Sequence, residues 1–423
     1  MKRGRIRWWI AGLLFASTVI NYIDRQTFSV LSPVLKAEYK WTNTDLASVL
    51  IAFRIAYTIG QSVSGRLLDR LGTRVGLACS VTFYTAVAAL TSLASGLGSF
   101  RAFRFLLGAG ESANWPGATK AVAEWFPARE RGFAVALFDS GSSIGGAVAP
   151  FLVLGLYHGF GSWRPVFLVT ALLGFVWIIA WLKLYHPPEL HPAIGAEELA
   201  HVRAGQSRGT AGEPAVRWIQ LLRYRQTWGL ILGRLLLDPY WFLVAEWFAI
   251  YLLSRGFRLE DSMMGFWAPF LAADLGNFSG AALSSWFIRR GWPTGKARRT
   301  VMVLFGPSML ALAGAAFTSS YVILILLFAW ASFAYAACST MFLALPADVF
   351  HSSAVASVSG LSGTGAGIGV LISTYLIGVV SDRASFQPIV LAASVMPCVA
   401  VATMFVLLRP ARGEKQNPLL CDY

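Results

Sequence analysis

A chain of 423 residues that is 56% hydrophobic and only 13% charged, with a mean hydropathy of +0.59, is excluded from the ordinary soluble domains. Its net charge of +14 does not point to nucleic acid, because the 35 Lys and Arg are spread between apolar runs instead of gathered into one stripe. An all-α, polytopic membrane protein is what remains.

Read at about 20 apolar residues per helix, the chain offers twelve spans, beginning near residues 8, 44, 75, 97, 132, 163, 226, 262, 300, 321, 353 and 385. The first follows a basic start and runs from Trp8 through Ile23, an order that imitates a signal peptide. No small-residue cleavage site follows, and Asn21-Tyr22-Ile23-Asp24-Arg25 continues the run directly. Asp24 and Arg25 therefore sit inside a span. In the fourth span Arg104, Gly108, Glu111 and Trp115 recur at offsets of 4, 7 and 11, one helical stripe expected to face a cavity. A bare charge in a bilayer core costs roughly 2.5–3.5 kcal/mol on insertion scales, so these four charges suggest a site for an anion and a proton. The plainer alternative is a pair of structural ion bridges, Asp24 to Arg25 and Arg104 to Glu111. Such pairs add little net stability, and their place within the membrane favours function.

The longest polar stretch divides the spans six and six. The expected layout is an N-terminal six-helix bundle over 1–185, a cytoplasmic central loop over 186–225, a C-terminal six-helix bundle over 226–408 and a cytoplasmic tail over 409–423. The loop holds His186-Pro187-Pro188-Glu189, a turn at Glu197 and Glu198, a Gly/Ser/Thr patch from Gly205 to Gly212, and Trp218, Leu221 and Leu222 spaced for an interfacial helix. It reads as a tether between two lobes that rock around a midplane site. With both termini inside, 24 of the 35 Lys and Arg fall on the cytoplasmic face, 7 on the other, and Arg25, Arg54, Arg104 and Arg234 lie within spans. That asymmetry places both termini in the cytoplasm.

Cys79, Cys338, Cys398 and Cys421 show no paired spacing, and His158, His186, His191, His201 and His351 fall in loops or at helix ends. No metal, cofactor or disulfide framework is expected. The absence of a Ser-His-Asp arrangement or a His/Asp cluster argues against an enzyme. Gly360 to Gly369 lacks the Gly-Lys-Ser/Thr ending of a phosphate loop and reads as close helix packing or a gating bend.

Between spans two and three, Gly65-Arg66-Leu67-Leu68-Asp69-Arg70-Leu71-Gly72-Thr73-Arg74 resembles the loop signature of the major facilitator superfamily. Gly65 permits close helix approach, Asp69 suits a neighbouring helix N-terminus, and the arginines suit carboxylates in one of two states. Gly65, Asp69, Arg70, Gly72 and Arg74 are thus the expected gating residues. A degenerate echo from Gly280 through Ser284 and Ser285 to Arg289-Arg290-Gly291 supports internal duplication. Four further strings resemble the anion:cation symporters, in their hexuronate-transporter branch. They are Asn21-Tyr22-Ile23-Asp24-Arg25-Gln26, the run from Asn114-Trp115-Pro116 to Trp125-Phe126-Pro127, the run from Pro269 to Asn277, and Leu345-Pro346-Ala347-Asp348.

The resemblance implies that Arg25 and Arg104 bind a substrate carboxylate and that Asp24 and Glu111 carry protons. A guanidinium is charged at any physiological pH and offers a planar fork that matches a carboxylate. Burial favours the neutral form of a carboxyl group and a nearby arginine the ionised form, so proton and substrate binding can be coupled. The expected scheme has ionised Glu111 neutralise Arg104 and protonated Glu111 release it. Tyr22 and Tyr57 suit sugar hydroxyls, Trp115 a sugar's apolar face, and Ser142, Asn277 and Ser339 other polar contacts, although packing explains each equally well. The implied protein is a secondary active transporter in the bacterial inner membrane, working as a monomer in the lipid bilayer. It would import an organic anion, foremost a hexuronate, with protons. Another carboxylate, dicarboxylic or aromatic, and a proton-coupled exporter are the alternatives.

Departures from the branch cluster around the expected site. Phe138-Asp139-Ser140-Gly141-Ser142-Ser143 adds an acid and loses two amides, Glu246 and Ile250 replace an apolar or aromatic residue and a lysine, and Ala337-Cys338-Ser339-Thr340-Met341 lacks a tryptophan and an asparagine. Arg54 is an unexpected charge, able either to pair with Asp139 or Glu246 or to hold a second carboxylate.

Overall fold

The computed structural model describes residues 5–204, 218–257, 263–383 and 385–408. The Gly205–Gly212 patch, Cys421, the tail from residue 409 and the Glu246 side chain lie outside the described residues.

Long helices follow one another in order. The first six spans are α1 (Ile6–Glu38), α2 (Asn43–Leu71), α3 (Thr73–Leu90), α4 (Leu97–Glu111) continued by α5 (Asn114–Trp125), α6 (Ala128–Phe160) and α7 (Arg164–Leu184). A short α8 (Ala196–Arg203) lies in the central loop. The seventh span opens with α9 (Arg225–Leu237), passes through Pro239–Phe242 and a π-helical turn at Leu243–Trp247, and ends in α10 (Phe248–Ser254). Then come α11 (Met263–Arg289), α12 (Thr294–Ser308), α13 (Tyr321–Val349), α14 (Val355–Arg383) and α15 (Gln387–Leu407).

All twelve predicted spans are present as helical passages, each beginning within six residues of its expected start. Ten of these described helices are long and apolar enough to cross a membrane. The two that fall short are the α4–α5 passage and α11, and the reason is physical. Arg101, Arg104, Glu111 and Lys120 dilute the first, which also breaks at Ser112 and Ala113; Asp274, Asn277 and Pro269 dilute the second. Outward-facing residues on α2 keep a four-residue rhythm, with Ile55, Ile59, Val63 and Leu67 each more than 40% exposed. An apolar stripe of that kind is stable against lipid tails and not against water.

Two compact units emerge: Met1–Pro127, Leu137–Ala215 and Ser352–Gly360 in one, Ala128–Ala136, Val216–His351 and Leu361–Tyr423 in the other. Glycines set the helix crossings in both. In the first unit a Cβ on Gly108 would lie 2.4 Å from the Phe53 carbonyl oxygen, so α4 packs directly on the α2 backbone. In the second, Gly276 seats α11 on Phe333 of α13, and Gly365 and Gly369 seat α14 on the Ile231 and Leu235 carbonyls of α9. From Gly365 on, the glycine-rich run is therefore close helix packing. Gly72 (φ +77°) ends α2 and Gly291 (φ +87°) follows α11, so each of the two echoing loops has a glycine at positive φ.

The first part of the central loop departs from the tether expected of it. Glu198 on α8 is 3% exposed and accepts hydrogen bonds from the backbone N–H groups of Ile6 and Arg7, both at 3.2 Å, and from the Arg7 guanidinium at 3.0 Å. Arg5, which precedes α1, supplies no side-chain cap, so the orphan N–H groups of the first turn recruit a carboxylate from residue 198. The expected interfacial helix at Trp218 is a single turn, Trp218–Leu221.

Candidate functional site

Asp24, Arg25, Arg104 and Glu111 all belong to the first unit. Arg25 reaches from α1 to the end of α4, where Nε and Nη2 both donate to Glu111 Oε2, at 3.2 and 3.0 Å. Nη2 also donates to Asn21 Oδ1, one turn back on α1, at 3.2 Å. Three aromatic rings face this guanidinium, with Tyr22, Phe53 and Tyr57 centroids 4.9, 4.9 and 4.8 Å away. Cation–π contact of this sort holds a charge in a dry place without neutralising it.

Arg104 lies behind. It is 3% exposed, rests on Phe28 at 4.9 Å and on Phe53 at 4.6 Å, and donates a long bond of 3.5 Å to the Arg25 carbonyl. Phe53 is thus shared between two guanidiniums. Asp24, also 3% exposed, has neither carboxylate oxygen hydrogen-bonded, and Oε1 of the fully buried Glu111 is likewise without a partner. Unsatisfied buried polar atoms are costly enough to signal a group held for use.

Local structure explains how these groups converge. Helix α4 stops at Glu111 and the chain turns at Ser112 and Ala113, because Pro116 has no N–H for the Ser112 carbonyl four residues back. The loosened carbonyls are met by serines: Ser80 Oγ donates to Gly110 O at 2.8 Å and Ser112 Oγ to Ala109 O at 2.6 Å. Immediately beyond, Asn114 accepts from Ser17 at 2.7 Å and donates to Thr18 at 3.1 Å, locking α5 to α1 about two turns from Arg25. On the opposite side, Gly141 and Gly145 of α6 abut the Phe15 and Val19 carbonyls, which leaves Tyr22 wedged beside Gly145.

These distances change the pairing expected from the sequence. Glu111 is bonded to Arg25, not to Arg104, and Asp24 does not bridge to Arg25. Neighbours in sequence point to different sides of a helix, and a residue seven positions away is two turns distant, so both pairs inferred from the chain order were geometrically poor. The stripe on the fourth span also splits. Gly108 faces the α2 backbone, while Trp115, beyond the break, donates its indole N–H to Asp139 Oδ1 at 3.1 Å and has Tyr22 at 6.1 Å.

Of the remaining candidates, Ser142 uses its hydroxyl on the Asp139 carbonyl of its own helix at 2.7 Å. Asn277 and Ser339 belong to the second unit and are each 5% exposed. There Asn277 Oδ1 accepts from Thr340 at 2.8 Å, a link between α11 and α13. At the α2–α3 junction, where the sequence leads one to expect a gate, Asp69 accepts from Lys120 Nζ at 2.7 Å and from the backbone N–H of Ser357 and Ala356, in the first turn of α14, at 2.7 and 3.3 Å. Gly65 leaves room for the Ala356 carbonyl, Arg70 is exposed, and Arg74 donates to the Leu182 carbonyl at 2.5 Å. The cation beside Asp69 is therefore a lysine of α5 rather than one of the loop arginines.

Three features escaped the sequence reading. Phe53 and Phe28 complete the guanidinium cage, and their spacing of four before Tyr57 and three after Arg25 was the available signal. Arg234 of α9 pairs with Asp238 at the end of that helix, at 2.6 Å and at i,i+4 spacing, with the Tyr335 hydroxyl 3.5 Å from the same acid. In the second unit Asp348 accepts from both Arg131 and Arg298, at 2.9 and 3.0 Å, all three side chains being at most 5% exposed. Among the described residues no cluster of His, Cys, Asp and Glu is arranged to hold a metal ion.

Comparison with known proteins gives this architecture relatives. Residues 14–361 match the family model described as Major Facilitator Superfamily. The chain is 33% identical over 417 residues, 96% of its length and 94% of the relative's, to the Hexuronate transporter of Escherichia coli (strain K12). It is 34% identical over 323 residues, 75% of its length and 93% of the relative's, to the Galacturonate transporter of Dickeya chrysanthemi. Among solved structures, a proton:xylose symporter bound to 6-bromo-6-deoxy-D-glucose superposes with a TM-score of 0.72, at 13% identity, over 95% of this chain and 96% of that one.

Proposed function

Since the chain belongs to the major facilitator superfamily, in the branch of the hexuronate transporters, and is a multi-pass membrane transporter and not an enzyme, we propose that it imports a sugar acid of the hexuronate class by proton symport. The observation that carries this reading is the Arg25–Glu111 bridge: a guanidinium inside the membrane, ringed by Tyr22, Phe53 and Tyr57 and neutralised by a fully buried carboxylate.

The chemistry follows from that arrangement. While Glu111 is ionised, it occupies the fork of Arg25 and an incoming carboxylate meets a neutral pair. Protonation removes the internal counter-charge, and Arg25 is then free to take the substrate carboxylate through two parallel hydrogen bonds. Arg104, held by Phe28 and Phe53 behind it, adds positive potential at the same place. Linkage makes the effect reciprocal, so bound substrate raises the affinity for the proton by the same factor. Tyr22 and Tyr57 present hydroxyls to the sugar beside the carboxylate, Trp115 backs Tyr22, and Asp24 holds a second proton or balances charge. Ser142, Asn277 and Ser339 contribute to packing or to the polar wall. Gly65, Asp69, Arg70, Gly72 and Arg74 form the gating loop, in which Asp69 holds Lys120 and the first turn of α14 at once.

The same reading places the transporter in a bacterial inner membrane as a monomer, with both termini cytoplasmic, in keeping with the asymmetry of its Lys and Arg. The test is uptake of radiolabelled glucuronate or galacturonate into vesicles, with and without an inward proton gradient. Wild-type protein should accumulate label uphill only with the gradient, and Glu111→Gln should exchange label across the membrane without accumulating it. Gradient-driven accumulation by Glu111→Gln would remove Glu111 from the coupling, and efflux without uptake would overturn the importer reading.

A further inference from the structure

A cavity of 820 Å³ opens in the second unit between the beginning of α12 and the end of α15. Its lining takes Lys296, Arg299 and Thr300 from the start of α12, Val303 and Leu304 from one turn further along, and Phe405 from α15. The polar and apolar ends lie on one face of α12, because Lys296, Arg299 or Thr300, and Val303 follow at i, i+3 or i+4, and i+7. Val303 is 47% and Leu304 54% exposed on a helix that crosses the membrane, so the apolar end faces lipid.

The stretch of chain that leads into the polar end carries charge of one sign. Residues 286–308 hold Arg289, Arg290, Lys296, Arg298 and Arg299 and no Asp or Glu. Arg298 turns inward to Asp348, while Lys296 and Arg299 line the cavity. Arg290 lies 3.9 Å over the Trp286 ring and Lys296 4.3 Å over the Trp292 ring. Tryptophans paired with basic residues at the end of a span mark the headgroup level of a bilayer.

We propose that this cavity binds one anionic phospholipid, its phosphate at Lys296 and Arg299 and an acyl chain along Val303, Leu304 and Phe405. A small soluble anion would use only the basic end, and a sugar acid would set its hydroxyls against Val303 and Leu304 with nothing to bond. A phosphodiester joined to a hydrocarbon chain matches both ends at once, and basic pockets between membrane helices are the usual seats of such headgroups.

Native mass spectrometry of the full-length protein, titrated separately with phosphatidylglycerol, phosphatidylcholine and inorganic phosphate, tests the proposal. Wild-type protein should retain phosphatidylglycerol over phosphatidylcholine, and Lys296→Gln/Arg299→Gln should lower phosphatidylglycerol affinity roughly tenfold or more while leaving phosphatidylcholine unchanged. Equal melting temperatures of variant and wild type in phosphatidylcholine would tie that loss to the site and not to folding. If the double variant does not fold, the exposed Lys296→Gln alone should weaken phosphatidylglycerol by about threefold or more. Undiminished phosphatidylglycerol binding in the folded variant would overturn the proposal. So would displacement of the lipid by inorganic phosphate at equal concentration, which would reduce the cavity to a simple anion site.

Discussion

Arg25 and Glu111 bear on each other unequally. The Glu111 side chain is wholly enclosed, whereas Arg25 keeps 20% of its surface exposed. Removing the cation strands a carboxylate in a dry site, while removing the acid leaves a guanidinium with three aromatic rings and partial access to polar surroundings. Arg25→Ala should therefore cost about 3–5 kcal/mol of stability, the usual penalty for an orphaned buried charge, and Glu111→Gln distinctly less. In the double variant most of the Arg25→Ala loss should be recovered, and a thermal-melting cycle of the four proteins measures the coupling directly. Additive losses would mean that the bridge is not the main partner of either group.

Helix crossings are where sequence and geometry meet most tightly in this protein. Gly108 sits where α4 touches the carbonyl of Phe53, the residue that supports both guanidiniums, so a single methyl group there must push α4 away from α2. Gly108→Ala should cost about 1–3 kcal/mol through overpacking and should lower uptake by more than the loss of folded protein accounts for. Gly155 on α6 offers the control, being exposed with nothing within 4 Å of a new Cβ. Gly155→Ala should be neutral or stabilising by up to about 1 kcal/mol, the helix-propensity difference. Comparing melting temperatures and uptake of the two variants checks both expectations. At this scale the span positions were readable because a bilayer demands long apolar runs. The break after Glu111 also had a signal in Pro116, which cannot bond to the Ser112 carbonyl four residues back, but the serines that satisfy the freed carbonyls come from α3 and from the break itself.

Each compact unit is completed by a piece from the other half of the sequence: Ser352–Gly360 in the first, Ala128–Ala136 in the second. The borrowed pieces carry polar contacts. Ser357 donates to Asp69 in the first unit, and Arg131 donates to Asp348 in the second. A chain divided within the central loop should therefore yield halves that are individually unstable and that recover a cooperative melt when produced together. Asp348→Asn, which weakens the hold on both Arg131 and Arg298, should destabilise the intact protein by about 3–5 kcal/mol. Separate halves that melt as sharply as the whole would show that the borrowed pieces are dispensable.

The sequence by itself determined the class of protein, the twelve passages, the family and the identity of the four intramembrane charges, because each follows from local composition or from a contiguous string. Tertiary structure decided which charge meets which. Arg25 and Glu111 are 86 positions apart, Arg131 and Asp348 are 217 apart, and no periodicity along one helix encodes contacts between two. Lys120, Arg131 and Arg298 counted in the sequence as cytoplasmic-face basic residues, yet each is at most 6% exposed and bonded to an aspartate. A basic residue near a span end satisfies the topology rule whether it faces water or a buried carboxylate, and only the packing of helices distinguishes the two.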